Sequence, residues 1–488
     1  MGIEYNHNEY EKVLPRWKIV RDMTDSENLD EHIIEMNPLD TSNENKARND
    51  EFKQRAVFAG ISGRTARGLL GLIFEEPPAV ELSPALSYME RNASGTGVGI
   101  MQQARDITFE VIRQGRCGLW VDFPNTDGKQ VSKRDLELQK VFSVIHRIRA
   151  EDIVNWETVK IGAEVRLGLV VFKTTVRQSK DDDDYAKEVK DQRIELRLDE
   201  NFNYQVRIWQ KDKSKNEWRV IEQYWPTQGN GQYWDVIPFV FVGAEDNTWD
   251  IDHPPMHDIS VLNAAHYNNS AIYEDSVFIV GQAQPWMSGL DQNMIDLWKK
   301  NNMYVGSGRL IGTPPGQRLE FAQAQENPLA KEAMDSKREH MVGLGALFVQ
   351  PGSSVKTATQ SRGEQKVDNS QLSLIAGNVS AAYTEALVHA ANFMNDGTAS
   401  TITLNQNYVE NELDPAELRE MTVAYLAGTI APTAYFSFLK RKEIEADDRE
   451  LEDWQEETAN VAELTDLSME AQRAGLGADD DENEDDDD

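Results

Sequence analysis

The 488-residue sequence is 40% hydrophobic and 8% aromatic, enough to bury the cores of roughly two to four domains. Its 84 acidic side chains outnumber 50 basic ones for a formal charge of -34; nine of the acids fall in DDDENEDDDD at 479–488, so the body is acidic too. That balance excludes a protein gripping nucleic acid through a dominant basic stripe, and the single Cys117 excludes an internal disulfide or a paired-thiolate zinc site. No apolar run approaches the ~20 residues that cross a bilayer. MGIEYNHNEYEK lacks the order of a signal peptide, so a soluble chain in a reducing compartment is expected.

In chain order, RNDEFKQRAVFAGISGRTARGLLGLIF (48–74) spaces apolar residues as one or two amphipathic helices and stops before Glu75-Glu76-Pro77-Pro78. A helix is predicted over 98–114, ended by Gly115, with CGLWVDFP after it as a buried strand. From 142 to 241 alternating stretches (VRLGLVVFKTTVRQ, RIELRLD, YQVRIWQ, WRVIEQYW) predict one antiparallel meander, with SKDDDDYAKEVKD (179–191) as a solvated loop between strands. VIPFVFVGA (236–244) is an apolar run of strand length with Pro238 near its start.

After WDIDHPPMHDIS (249–260) a helix of six or seven turns follows, its prolines at the first turn. Residues 281–325 read as a compact α/β insertion with a short helix in DQNMIDLWKKNN and two short strands in YVGSGRLIGTPPGQRLEF. Asn327-Pro328 opens a second long helix to about 348, and VQPGSSVKTATQSRG is a Gly/Ser/Thr-rich exposed loop. A single stripe from Val367 to Met394 predicts a helix of about 30 residues, ~45 Å long. A strand in STITLNQNYV and charged helices over 415–428 and 432–460 follow, and the acidic end is expected to be disordered. The fold class is α+β.

Enzyme signatures are absent: there is no G-x-x-x-x-G-K-[ST], no H-E-x-x-H and no G-x-S-x-G, while GSGRLIG (306–312) has the wrong spacing for a dinucleotide turn. No cofactor is expected. The one polar constellation is Asp250, Asp252, His253 and His257. The intervening Pro254-Pro255 forbid an i, i+4 helical pairing of the two imidazoles, so the leading reading is a strand-to-helix corner whose Asp252 or His253 caps the helix. A loop metal site, and with it a metal-dependent hydrolase or nuclease using the 250–258 cluster, is the competing reading. A scaffold protein that forms no ring is another.

The order of these parts, carried by IPFVFVGAEDNTWDIDHPPMHDISVLNAAHYNNSA and RNDEFKQRAVFAGISGRTARGLLGLIFEEPP, resembles the portal proteins of tailed bacteriophages over about residues 45–460. The resemblance implies a ring, usually of twelve subunits, at one capsid vertex of the virion, assembled in the host bacterial cytoplasm. Double-stranded DNA would pass through the channel without sequence reading. The implied partners are the major capsid protein, a head-tail adaptor and, transiently, the large terminase; no membrane is involved.

The resemblance further implies a wing over 1–253 and 364–400, stem helices at 254–280 and 326–348, and a clip at 281–325. A tunnel loop at 349–363, a crown at 401–470 and an acidic tail at 471–488 complete the scheme. Gln350, Ser353, Ser354, Lys356, Thr357 and Arg362 would then face the DNA, Lys356 and Arg362 through weak, salt-screened phosphate contacts, against the alternative of plain solvated charges. Trp286, Trp298, Lys299, Lys300 and Arg309 would serve the clip or its adaptor interface, against core packing and solubility. Asp252, His253, Pro254, Pro255 and His257 would form the wing-stem corner.

Overall fold

A computed structural model describes residues 2–124, 141–180, 183–212, 217–281, 284–287, 292–300, 319–322, 328–349, 370–406, 415–441 and 449–455. Two units result, Met1–Tyr408 and Val409–Asp488. Helix and sheet are mixed as an α+β chain.

The first unit opens on α1 (Asn8–Asp25), over which no element is expected from the sequence. His7 starts it by accepting the Glu9 N–H at Nδ1, and Ser26 ends it in the left-handed region at φ 60°. Trp17, Val20 and Met23 are fully buried, and the Trp17 indole donates to the Gln114 carbonyl at 2.9 Å. The 48–74 segment becomes two helices, α2 (Asn43–Arg55) and α3 (Ile61–Ile73); Ser42 caps the first through the Asn45 N–H. Strand β1 (Ala79–Glu81) and the single turn α4 (Met89–Asn92) lead to α5 (Ile100–Gln114), which stops at Gly115 with φ 73°, as the sequence predicts.

Strand β2 (Arg116–Asp122) is the centre of the core. Its residues are buried from Arg116 to Val121, and it pairs antiparallel with β3 (Val144–Arg149) on one edge. The single meander expected over 142–241 is therefore two sheets. Strands β4 (Ile153–Ile161), β5 (Glu164–Lys180), β6 (Asp183–Leu198), β7 (Tyr204–Asp212) and β8 (Glu217–Tyr224) form the meander. β9 (Phe239–Gly243) instead joins the free edge of β2, giving the order β3-β2-β9. Gly118 of β2 is required there, because a Cβ would lie 2.3 Å from the Phe239 ring.

The segment 179–191 corrects the sequence reading. Its described residues are strand and not loop: 179–180 end β5 and 183–191 begin β6, the β5–β6 ladder running out to Lys180 and Asp183, while 181–182 lie outside the described residues. Cross-strand pairs such as Thr175 with Asp191, Gln178 with Glu188 and Ser179 with Lys187 leave this extension polar, so its acidic run looked solvated from composition alone. Solvation and strand pairing are compatible on a two-stranded ribbon.

α6 (His257–Val280) begins after Pro254-Pro255 instead of including them. In the 281–325 segment the described residues comprise β10 (Gln284–Met287), α7 (Gln292–Lys300) and β11 (Leu319–Ala322), with β10 and β11 paired antiparallel. α8 (Leu329–Leu347) follows, then α9 (Gln371–Phe393), whose N-cap Ser370 accepts the Ser373 N–H. α9 starts later than the 364–395 stripe suggests, giving 23 residues; residues 364–369 lie outside the described ones. α9 packs on β2, β9 and α5, burying Leu372, Ile375, Val379, Tyr383 and Leu387. β12 (Thr401–Thr403) pairs with β1, so the start of the expected 401–470 block belongs to the first unit.

The second unit contains α10 (Pro415–Leu426) and α11 (Pro432–Arg441), with helical backbone again over 451–455. Its own core gathers Tyr435, Phe436, Phe438, Leu439 and Trp454, with Tyr425 stacked on Tyr435 at 4.5 Å. Among the described residues no helix is long and apolar enough to cross a membrane.

Burial at the end of β2 has a pH consequence. Desolvation pushes the Asp122 carboxyl up to about 7, and Glu222 adds like charge. The folded chain therefore holds a proton there that the unfolded chain releases near pH 4. Stability from this group is fully present at low pH and is lost as pH rises towards about 7. Asp122→Asn should flatten that decline, by roughly 3–4 kcal/mol across pH 4–7, as read from urea midpoints at a series of pH values; an unchanged slope would refute the assignment.

Candidate functional site at the strand-to-helix corner

The corner joins the end of β9 to the start of α6. Gly243 is forced: a Cβ there would meet the Asp246 carbonyl at 1.9 Å and the Asp252 carboxylate at 2.4 Å. Its N–H donates to Asn247 Oδ1 (3.1 Å), Asn247 Nδ2 donates to the Asn378 carbonyl of α9 (2.8 Å), and Asn378 Nδ2 donates back to the Gly243 carbonyl (3.1 Å). The first bond closes the corner on itself and the other two tie it to the central helix, each worth about 1 kcal/mol.

Asp252 does not cap α6. Its Oδ2 accepts the Glu245 N–H at 2.8 Å, closing the loop on itself, and burial raises its carboxyl above the usual range. Nor does His253 cap the helix, since no side chain hydrogen-bonds the Met256 cap position; the turn closes by the His257 N–H donating to the Pro254 carbonyl at 3.0 Å. Asp252 fails to cap because it turns to the Glu245 N–H, and His253, as the residue before a proline, is biased away from helical backbone. Pro254 and Met256 are buried, and the His253 carbonyl and Pro255 Cδ lie 2.9 and 3.2 Å from where a Cβ on Gly115 would stand.

The prolines do not keep the imidazoles apart, contrary to the sequence argument. The rings of His253 and His257 stand at 87° with centroids 5.2 Å apart. Donor atoms of His253, His257 and Asp258 all lie within 4.8 Å of one another, with His257 Nδ1 3.2 Å from Asp258 Oδ1. A turn of the chain brings together what a helix would have brought together by spacing. Asp252, which the hydrolase reading also uses, lies outside that group and has its Oδ2 on the Glu245 N–H.

Beneath the corner lies Arg116, which sequence reasoning overlooked although an arginine opening an apolar strand is itself a signal. Its guanidinium stacks between the Trp156 and Phe241 rings at 4.2 Å from each. Nε, Nη1 and Nη2 have no hydrogen-bond partner among the described residues. Burial brings the group down to about 9, and the charges of Asp252 and Asp250 partly restore it. The acidic corner is thus the counter-charge, at a distance, of one buried cation.

α6 leaves the corner along the N-terminal helices. Asn263 Oδ1 accepts the Ile61 N–H at 3.2 Å, Tyr267 and Ala271 pack with Ile33 and Phe52, and Asp275 receives Arg48 at 2.5 Å and Arg55 at 2.9 Å. α8 packs along α6 in the opposite direction: the start of α6 and the end of α8 both meet α3, where Gly345 approaches Thr65. The outer stripe of α6 presents Val261 and Ile272, and α8 presents Leu329, Val342 and Leu347, all exposed.

The remaining expected residues are mostly beyond these elements. Trp286 sits in β10 opposite Glu320, Trp298 and Lys299 lie on α7, and Lys300 ends it, exposed. Arg309 and the loop residues Gln350, Ser353, Ser354, Lys356, Thr357 and Arg362 lie outside the described residues. A cavity of about 510 Å³ over the meander is lined by Glu4, Lys173, Arg193, Lys211 and Trp218; Glu4 accepts from the Trp218 indole at 2.7 Å, so its carboxylate is already engaged.

A family model described as "Domain of unknown function (DUF4055)" matches residues 255–394, from the corner through α9. No curated protein matches. The chain is similar to "Neck of empty GTA particle computed with C6 symmetry" at 13% identity, over 80% of this chain and 92% of that one, with a TM-score of 0.37. It is likewise similar to "Neck of native GTA particle computed with C12 symmetry" at 14% identity, over 79% and 91%, with a TM-score of 0.36.

Replacing Arg116 by Met keeps apolar contact with both rings and removes a buried charge that no described residue hydrogen-bonds. Thermal melts of Arg116→Met should show an unchanged or raised midpoint. A loss of more than about 1 kcal/mol would instead make the cation itself a stabilising element.

Proposed function

We propose that the chain is a structural subunit of a tailed-phage-like head-tail particle, of the portal type, and that it assembles into a ring of twelve. The ring conducts double-stranded DNA during packaging and ejection and offers a docking platform to terminase and tail adaptors. It sits at one capsid vertex beside the major capsid protein. It is not an enzyme. The observation that carries this reading is the pairing of α6 and α8: two long antiparallel helices, separated in sequence by a segment whose described strands, β10 and β11, pair with each other. That is the plan of a stem with a clip at its end.

Within this scheme α6 and α8 are the stem, 281–325 the clip, 349–363 the tunnel loop, and 1–253 with α9 the wing. The crown starts after β12 and runs over 409–470, and 471–488 form the tail. Val261 and Ile272 on one helix and Leu329 and Val342 on the other, apolar yet exposed in the single chain, supply surface for a neighbouring subunit. Acidic surface supports passage of DNA without adhesion.

Negative-stain images and native mass spectra should show a closed ring with one axial channel; a monomer or dimer at every concentration would overturn the proposal. The double variant Ile272→Asp with Val342→Asp changes two exposed side chains, so the fold should lose no more than about 0.5 kcal/mol per site while rings give way to monomers. Deletion of 281–325 should leave the wing fold intact by circular dichroism and abolish adaptor and terminase docking; undiminished docking would refute the clip assignment.

A further inference from the structure

We infer that His253, His257 and Asp258 form a binding site for one divalent transition metal of the zinc type, which clamps the joint between β9 and α6. The donors come from both sides of the joint: His253 precedes the two prolines, and His257 and Asp258 are the first two residues of α6. Their ligand atoms already lie within 4.8 Å of one another. Around a zinc ion with bonds of about 2.0–2.1 Å, neighbouring donors stand roughly 3.4 Å apart. The His257–Asp258 separation of 3.2 Å meets that figure as it stands, and rotation of the exposed His253 side chain closes the rest.

The backbone beneath the donors is fixed. Pro254 and Met256 are buried, Gly115 receives the His253 carbonyl and the Pro255 ring, and the His257 N–H is bonded to the Pro254 carbonyl. Little ordering is therefore left for the metal to impose. Two imidazoles and one carboxylate select zinc, cobalt or nickel over magnesium and calcium, which prefer all-oxygen shells. Asp252, committed to the Glu245 N–H, is not a fourth ligand. The remaining coordination positions face solvent and take water. The positive end of α6 opposes any cation here, and the Asp258 charge in its first turn offsets it.

The ion so held would lock the angle at which the helix leaves the sheet, a role independent of the ring assignment. The test uses untagged full-length protein titrated with zinc in excess magnesium, which saturates the acidic carboxylates elsewhere, with calorimetry and a chromophoric chelator as readouts. One zinc per chain is expected, and cobalt should give the visible bands of a low-symmetry site. His253→Ala and His257→Ala should each weaken binding by more than the about 10–100-fold that loss of an outer-shell partner costs, and Asp258→Asn should weaken it less. Zinc should raise the melting temperature of the wild type and not of His253→Ala. No zinc uptake, zinc displaced by magnesium, or uptake unchanged in His253→Ala and Asp258→Asn would overturn the site; the exposure of both residues makes those two variants decisive even if His257→Ala fails to fold.

Discussion

The first unit depends on one strand. β2 is buried from Arg116 to Val121, paired on both edges, and covered by α5 and α9. A strand with no free edge and no wet face cannot slip, because a shift of one residue would exchange every side chain between its two faces. Gly118 narrows the choice further, as the Phe239 ring occupies the space its side chain would need. The position of β9, and with it the corner and the departure of α6, follows from that register.

The cost of the arrangement is a buried guanidinium at the strand's first residue. Arg116 is held by two aromatic faces and by the distant field of Asp250 and Asp252, without a hydrogen bond among the described residues. Buried charges without such bonds are expensive. The acidity of the corner therefore has a local reason, whatever the overall negative charge contributes to the surface. The same loop spends Asp252 on its own backbone and leaves His253, His257 and Asp258 free to face outward together.

Several elements were legible from local pattern. The Gly115 stop of α5, the buried strand after it, the 236–244 strand and the long helix after the double proline all rest on spacing or on residues with restricted backbone angles. α1 was not legible, because Pro15 and its dense charges hide a buried stripe of Trp17, Val20 and Met23. The β5–β6 ribbon was hidden for a different reason: its outer half is polar on both faces, so alternation vanishes although the ladder persists. The division of the meander into two sheets could not be read either, since β9 finds its partner more than a hundred residues earlier in the chain.

At the corner the contrast is sharper. The sequence alone determined that a sheet gives way to a helix at Pro254-Pro255, because proline fixes the backbone of two residues and restrains the one before. It also determined the acidic balance and the absence of paired thiols, which are matters of composition. Only the tertiary structure decided that Asp252 turns inward to Glu245, that two imidazoles separated by prolines meet at 5.2 Å, and that Arg116 lies beneath them. Those outcomes depend on Gly115 and Gly243 letting backbones approach to distances no side chain would permit, and such approaches exist only once distant strands have paired.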